Sequence, residues 1–474
     1  MTTTEFGIWT NIFDYMPYFV LVSSIIPFWV TRFTARDKEG TVKTSTISQL
    51  ILGVIATVAY LPVITVISYA IGTSQYLLIY LIGGFYVLTY YMVTVFEAAL
   101  TATRPHATGY GFIIQEIVKV AVALIIILGF DQVFLGAILA LVIAPTVQLI
   151  YYLYKLRAFF REKINWSYLK QWIKSSPVLL YNVLGTQLLS FVFILLFVYG
   201  GAEARAYYQA ALSFTTIVGY ASSLAIALYP KLLANCCSKE DIGLSFKTVM
   251  MLAIPLATIV MTMAVSFLTV LNATYSNGSL VLVALTVDTL IVMLVTFYSQ
   301  VLMGMEAFDA AGEIHFKKLV KSKIFKLFSI PYIQSAIALP ATYLVLTQFY
   351  VDGPVTTAAA VVAVLIVVHL GTFVALAIRS RHSIHVPIAW RSIAKYIFAS
   401  FLMGAALLVA PTTTTLLATI AKTIIGFALY TVILLAIDVQ ARELVRLVWK
   451  EVKDNINGLL HRDADQNSAA PAEN

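Results

Sequence analysis

The chain has 474 residues, 60% of them hydrophobic and only 11% charged, with a formal net charge of +8. A soluble domain carries about 25% charged residues, so this composition excludes a soluble globular chain and indicates a polytopic membrane protein. Two adjacent cysteines, Cys236 and Cys237, cannot build a disulfide framework. The six histidines (His106, His315, His369, His382, His385 and His461) show no ligand spacing, so neither a metal nor an organic cofactor is expected.

In chain order, apolar runs predict thirteen transmembrane helices: 7–30, 44–71, 76–102, 109–128, 133–154, 178–199, 206–232, 249–271, 280–303, 328–349, 355–378, 393–409 and 416–437. Most reach the roughly 20 residues that cross a hydrocarbon core, and backbone groups in lipid must be paired within their own segment, so these are helices. The run at 393–409 is short and calls for Lys395 to snorkel at its end. The first run carries an acid, Asp14, and ends in Thr31-Arg32-Phe33-Thr34-Ala35-Arg36. Charged groups at such places are costly, and something must use or satisfy them.

The loops after odd-numbered spans, with the tail, hold 28 of the 31 lysines and arginines, whereas those after even-numbered spans hold only Arg205. The asymmetry puts the odd loops and the C-terminus in the cytoplasm. It also accounts for the basic excess without nucleic acid. Residues 164–174 read as an interfacial helix with Leu169, Trp172 and Ile173 on one face, and Leu444, Val445, Val448, Val452 and Ile456 form a stripe on a tail helix. The last dozen residues are polar and expected to be disordered.

An internal repeat divides the chain. Thr94 to Phe112, ending the third span, resembles Thr296 to Phe316, ending the ninth; Pro62 and Pro255 lie inside the second and eighth. An offset of six spans makes the halves parallel. The expected domains are residues 1–155 (first lobe), 156–177 (cytoplasmic linker), 178–378 (second lobe), 379–439 (two additional spans) and 440–474 (amphipathic helix and tail). By this count the first lobe is one helix short of the second, so a leading span is omitted or supplied by a partner.

The opening Phe6-Gly7-Ile8-Trp9 with Thr31 to Arg36 resembles the second helix of oligosaccharide flippases, the O-antigen-translocase type of polysaccharide biosynthesis protein in the multidrug/oligosaccharidyl-lipid/polysaccharide exporter superfamily. Tyr207-Tyr208-Gln209-Ala210-Ala211-Leu212-Ser213 is similar to the equivalent helix of the second lobe. Gly304-Met305-Glu306 with Asp309, and the basic run Phe316 to Phe325, are similar to a loop of archaeal members. The resemblance implies two helical bundles that rock around a cationic cavity in the cell membrane. It implies twelve or fourteen helices, so that thirteen fits loss of the leading one, and a polyprenyl- or dolichyl-pyrophosphate-linked oligosaccharide as cargo. Membrane lipids and glycan-assembly enzymes are the further partners it implies.

A pyrophosphate cannot cross hydrocarbon unaided, since one charge at mid-bilayer costs about 2.5–3.5 kcal/mol even on the lenient scale. Lysine or arginine in a wet cleft would offset this. Lys119, deep in the fourth span with Glu116 one turn earlier, is a candidate phosphate ligand; the alternative is a structural ion pair. Arg32 and Arg36, four apart, would capture cargo at the cytoplasmic mouth or simply mark topology. The acids Asp14, Glu97 and Asp288 are candidates for coupling to Na+ or H+, or for pairing with a lysine or a polar neighbour such as Asn11. Glu203 and Arg205 flank the outer mouth as a gate pair or a solvated turn, and Lys422 reads as an interface anchor. The expected function is the movement of a lipid-linked oligosaccharide from cytoplasmic to outer leaflet by alternating access, with no covalent chemistry. The rivals are a cation-coupled multidrug exporter, which would want an acid-rich, base-poor cavity, and a membrane glycosyltransferase or glycan polymerase, which would want a long outer loop.

Overall fold

The computed structural model describes residues 2–130, 133–222, 239–304, 323–348, 352–383, 389–438 and 441–442. Among them there is no strand. Twelve helices are long and apolar enough to cross a membrane. One of the twelve, in helix Pro177–Gly219, is interrupted at Gly201, where φ is 85° and ψ is 166°, a conformation open essentially to glycine alone. The rings of Phe193 and Tyr208, on either side of Gly201, lie 5.3 Å apart, so the two arms fold back on each other as a hairpin. Counting the arms separately gives the thirteen expected spans. The span expected at 206–232 runs past residue 222, and its end lies outside the described residues.

We number the helices α1 (Thr3–Val20), α2 (Ile25–Thr34), α3 (Thr41–Ala70), α4 (Leu77–Thr103), α5 (Pro105–Phe130), α6 (Val133–Leu156), α7 (Trp166–Ser175), α8 (Pro177–Gly219), α9 (Lys239–Thr262), α10 (Ala264–Leu271), α11 (Ser279–Gly304), α12 (Lys323–Phe328), α13 (Ile330–Gln348), α14 (Pro354–Ser383), α15 (Trp390–Val409) and α16 (Leu416–Ile437). The first expected span starts earlier than its apolar run because Thr2 and Glu5 form a reciprocal cap: Thr2 Oγ1 accepts from the Glu5 backbone N–H (3.2 Å) and Glu5 accepts from that of Thr2 (2.8 Å). It is also broken, passing through a 3₁₀ turn at Leu21–Ser24 into α2. Pro27 supplies no N–H to the Ser23 carbonyl four residues back. The side-chain amide of Gln49 donates to that carbonyl instead, at 2.7 Å. Pro62 and Pro255, by contrast, lie inside continuous helices.

Buried apolar side chains gather in three cores. Two belong mainly to α1–α6, one around Tyr60, Tyr80 and Tyr91 and one around Phe33, Phe96 and Tyr152; the third and largest extends from α8 to α16. The helix expected at 164–174 is present as α7, but its apolar stripe divides. Trp172 is fully buried against Phe33 (5.7 Å between centroids), whereas Ile173 is 61% exposed. The linker is therefore docked on the first group of helices, and the backbone N–H groups of Gly40 and Asn165 tie it there through Glu162 (2.5 Å) and Thr44 (2.8 Å). The two additional spans, α15 and α16, lean on α9: the Tyr430 hydroxyl donates to the Met251 carbonyl at 2.7 Å. Lys395 does not merely snorkel. Its Nζ lies 3.2 Å from the buried carboxylate of Asp438 at the end of α16. Cys236, Cys237, the basic run 316–322 and the tail stripe lie outside the described residues.

Candidate functional site

The two helix groups meet along α1 and α8. At the end that the lysine and arginine count assigns to the outer face, α1 presses onto the α8 hairpin so closely that a Cβ on Gly7 would lie 2.0 Å from the Ala202 carbonyl oxygen. A side chain there is sterically forbidden, so Gly7 is what permits the approach. Further along, the Tyr18 hydroxyl donates to the Gln187 carbonyl (2.9 Å) and its ring meets Phe191 edge-on.

Between these contacts sits a charge pair. Arg205, one turn past Gly201, donates through Nε and Nη2 to the two oxygens of Asp14, both at 2.7 Å. The side chains are 3% and 6% exposed. Arg205 donates its remaining fork to Gln209 Oε1, one turn on, at 3.0 Å. Its guanidinium lies over the rings of Phe193 (5.1 Å) and Tyr208 (5.7 Å), a planar fit that a lysine ammonium would not make. A two-pronged, fully hydrogen-bonded pair is the form in which two charges tolerate removal from water. Beside it lies a hollow of 280 Å³ lined by Trp9, Phe13 and Pro17 of α1 and Ser190, Phe193 and Leu212 of α8. A second hollow, of 500 Å³, opens at the hairpin and is lined by Thr4, Glu203, Gly353 and Thr357 among others.

The other predicted residues are distributed as follows. Arg205 pairs across the helix groups with Asp14, not with Glu203, which lies at the mouth. Asn11 does not serve Asp14 either; its carbonyl oxygen accepts from the Tyr80 hydroxyl at 3.0 Å. Asp288 on α11 pairs with His369 on α14, Oδ1 to Nδ1 2.7 Å, and both side chains are nearly buried at 8% and 12% exposure. Glu97 accepts from Gln148 Nε2 at 3.2 Å; the same amide donates to Tyr152, whose hydroxyl donates to the Thr108 carbonyl, joining α4, α5 and α6. Lys119 bonds to Glu116 at 2.6 Å on the open face of α5, the two side chains being 32% and 63% exposed. Arg32 covers the Phe28 ring at 4.6 Å, and Arg36 is exposed at the end of α2. Lys422 caps the α15–α16 turn by donating to the carbonyls of Ala410 and Pro411, both at 3.1 Å.

The helical fold as a whole is shared with solved transporters. A multidrug resistance MATE family transporter of the MOP superfamily in its inward-facing conformation matches with a TM-score of 0.56 at 14% identity, over 80% of this chain and 90% of that one. The chain shares the fold of that transporter. A MATE protein in the bent conformation superposes with a TM-score of 0.52 at 14% identity, over 79% of this chain and 86% of its own. The lipid II flippase MurJ in an inward closed conformation gives 0.55 at 12% identity over 94% of this chain and 98% of its own. Comparison with protein-family models and with curated proteins finds no match.

Within this fold, sequence reasoning missed His369. The signal was present: an ionisable side chain in the middle of an apolar span, the same criterion that singled out Asp288. The partner of Arg205 was missed for a different reason. A residue at a loop is read as facing water, and only the one-glycine hairpin brings Arg205 inward against α1.

Proposed function

We propose that the chain is an alternating-access transporter that moves a lipid-pyrophosphate-linked oligosaccharide from the cytoplasmic to the outer leaflet. Two lobes, α1–α6 and the helices from α8 to α14, would part and close along the α1–α8 seam. The observation that carries the reading is the full-length likeness to a lipid II flippase, which leaves less of this chain uncovered than α15 and α16 occupy. In this reading the Asp14–Arg205 clamp holds the outer side shut, in keeping with the inward-facing conformation of the matching MATE family transporter. Arg32 and Arg36 supply cationic capture at the cytoplasmic end, and Lys119, steadied by Glu116, is the ligand for phosphate oxygens.

A multidrug exporter is the second reading, favoured by the equally good match to a MATE transporter. One reconstitution separates the two. Liposomes bearing the protein are supplied with a fluorescent polyprenyl-pyrophosphate-linked sugar and, in parallel, with a cationic dye. The flippase reading expects transfer of the sugar lipid between leaflets and no dye movement. Lys119→Ala should lower transfer about 10- to 100-fold, the worth of one charge-assisted hydrogen bond, and Lys119→Arg should spare part of it. Dye transport with no lipid transfer would overturn the reading in favour of the exporter.

A further inference from the structure

The turn between α10 and α11 carries two Asn-x-Thr/Ser triplets, Asn272-Ala273-Thr274 and Asn277-Gly278-Ser279, and a third, Asn165-Trp166-Ser167, opens α7. Such a triplet is the acceptor pattern for an N-linked glycan, provided that its asparagine is accessible on the outer side of the membrane. Transport as proposed above uses none of them. At the first triplet, Leu271, Asn272, Ala273 and Thr274 form an unbroken exposed run directly after α10. Asn272 is extended, with φ −167° and ψ 143°, and its Oδ1 accepts from the Thr274 backbone N–H at 3.1 Å and from the Thr274 hydroxyl at 3.0 Å. Both bonds end on the oxygen. The amide nitrogen, Nδ2, makes no hydrogen bond among the described residues, so a sugar attached there leaves the turn intact.

The turn is seated from the protein side. The Tyr207 hydroxyl donates to the Thr274 carbonyl at 3.2 Å, and Tyr275, 5% exposed, meets the rings of Phe6 and Tyr207 edge-on at 5.9 and 5.6 Å. These contacts place Asn272 at the Gly7 end of the α1–α8 seam, the end that the lysine and arginine count assigns to the outside. It also has the reach to clear the hydrocarbon. From Lys239 to Leu271, α9 and α10 supply about 50 Å of helix at 1.5 Å per residue, against a core of about 30 Å. The other two triplets each lack one requirement. Gly278 is buried so close to Tyr207 that a Cβ would lie 2.8 Å from the ring, and Ser279 already opens α11, so the triplet at Asn277 is locked in packed backbone. Asn165 makes the same two bonds as Asn272, to the Ser167 N–H (3.2 Å) and hydroxyl (2.6 Å), but it caps α7 on the cytoplasmic side. The bonds alone are ordinary capping; access and side of the membrane single out Asn272.

We propose that Asn272 is a site of N-linked glycosylation on the outer face, modified by a separate membrane transferase with a lipid-pyrophosphate-linked oligosaccharide as donor. In that step the bond from the sugar's anomeric carbon to the pyrophosphate oxygen breaks, and the pyrophosphate leaves with the electron pair. Asn272 Nδ2 forms the new bond to the anomeric carbon and gives up one proton to a base of the transferase. The assignment rests on the outer placement of the α10–α11 turn and is independent of what the transporter carries.

The test uses the full chain purified from its native membranes, digested, and read by mass spectrometry with electron-transfer fragmentation, which keeps a glycan on its peptide. The expected result is a glycan mass on Asn272 and bare peptides at Asn277 and Asn165. Asn272→Asp preserves the capping oxygen but removes Nδ2, so it should abolish the added mass without lowering the thermal midpoint. Thr274→Ala leaves Asn272 in place and should abolish the mass as well, whereas Thr274→Ser, which keeps a hydroxyl, should retain part of it. A bare Asn272 in the native protein overturns the assignment. So does an added mass that persists in Asn272→Asp, or a glycan found on Asn165, which would put the α10–α11 turn on the cytoplasmic side.

Discussion

Replacing Arg205 with methionine tests the clamp most directly. The change keeps an unbranched side chain of similar length against Phe193 and Tyr208 but strips Asp14 of both hydrogen bonds while it remains 6% exposed. Removing one partner of a buried pair costs about 3–5 kcal/mol, because the survivor is left as an uncompensated charge. Opening the seam would return Asp14 to water and relieve that cost, so the loss falls on the closed form. At 1.4 kcal/mol per tenfold, the ratio of open to closed seam should rise by at least about 100-fold. Thr10, 2% exposed and lining the hollow beside the pair, is a suitable reporter. As Thr10→Cys, with Cys236 and Cys237 changed to serine, it should react with a membrane-impermeant maleimide slowly in the parent. In the Arg205→Met background it should react about 100-fold faster. The exchange of both residues, Asp14→Arg with Arg205→Asp, should bring the rate part of the way back. A rate unchanged by Arg205→Met in correctly folded, monodisperse protein would refute the clamp.

Gly7→Val should act on the same equilibrium without touching charge, since any Cβ there meets the Ala202 carbonyl; faster labelling at Thr10→Cys is expected, together with slower leaflet transfer. Trp172→Ala should lower stability by about 3–5 kcal/mol, because a fully buried indole leaves a cavity between α7 and Phe33; thermal unfolding in detergent would register it as a markedly lower midpoint. Gly201→Ala forces an L-residue into a conformation worth about 1–3 kcal/mol of strain, and the same melting measurement should show a smaller loss than Trp172→Ala.

Much of the fold could be read from hydropathy alone, since each apolar run has to be a helix where no water can satisfy its backbone. The two spans around Gly201 are a case in point: the sequence shows two runs parted by Gly200-Gly201-Ala202-Glu203-Ala204-Arg205, and the structure turns between them at a single glycine. Pairings between distant residues were less legible. Lys119 with Glu116 was visible because the helix repeat places them one turn apart, whereas Asp14 with Arg205 and Asp288 with His369 depend on how helices pack, which no local periodicity encodes. Lys395 was read as reaching for the membrane surface because its partner, Asp438, comes from the end of a different helix. The break after Val20 was hidden too: Pro17 and Pro27 were in plain view, but the compensating amide of Gln49 is supplied by α3.

The Ser176 hydroxyl donates to the Trp172 carbonyl and accepts from the Trp29 indole at 3.3 Å, so Ser176 is moored to the linker and to α2 at once. Pro177, the next residue, begins the long first arm of α8. In the proposed alternating access, a linker moored in this way would move with α2, and the connection to α8 would act as an axle at that one peptide step rather than as a slack tether.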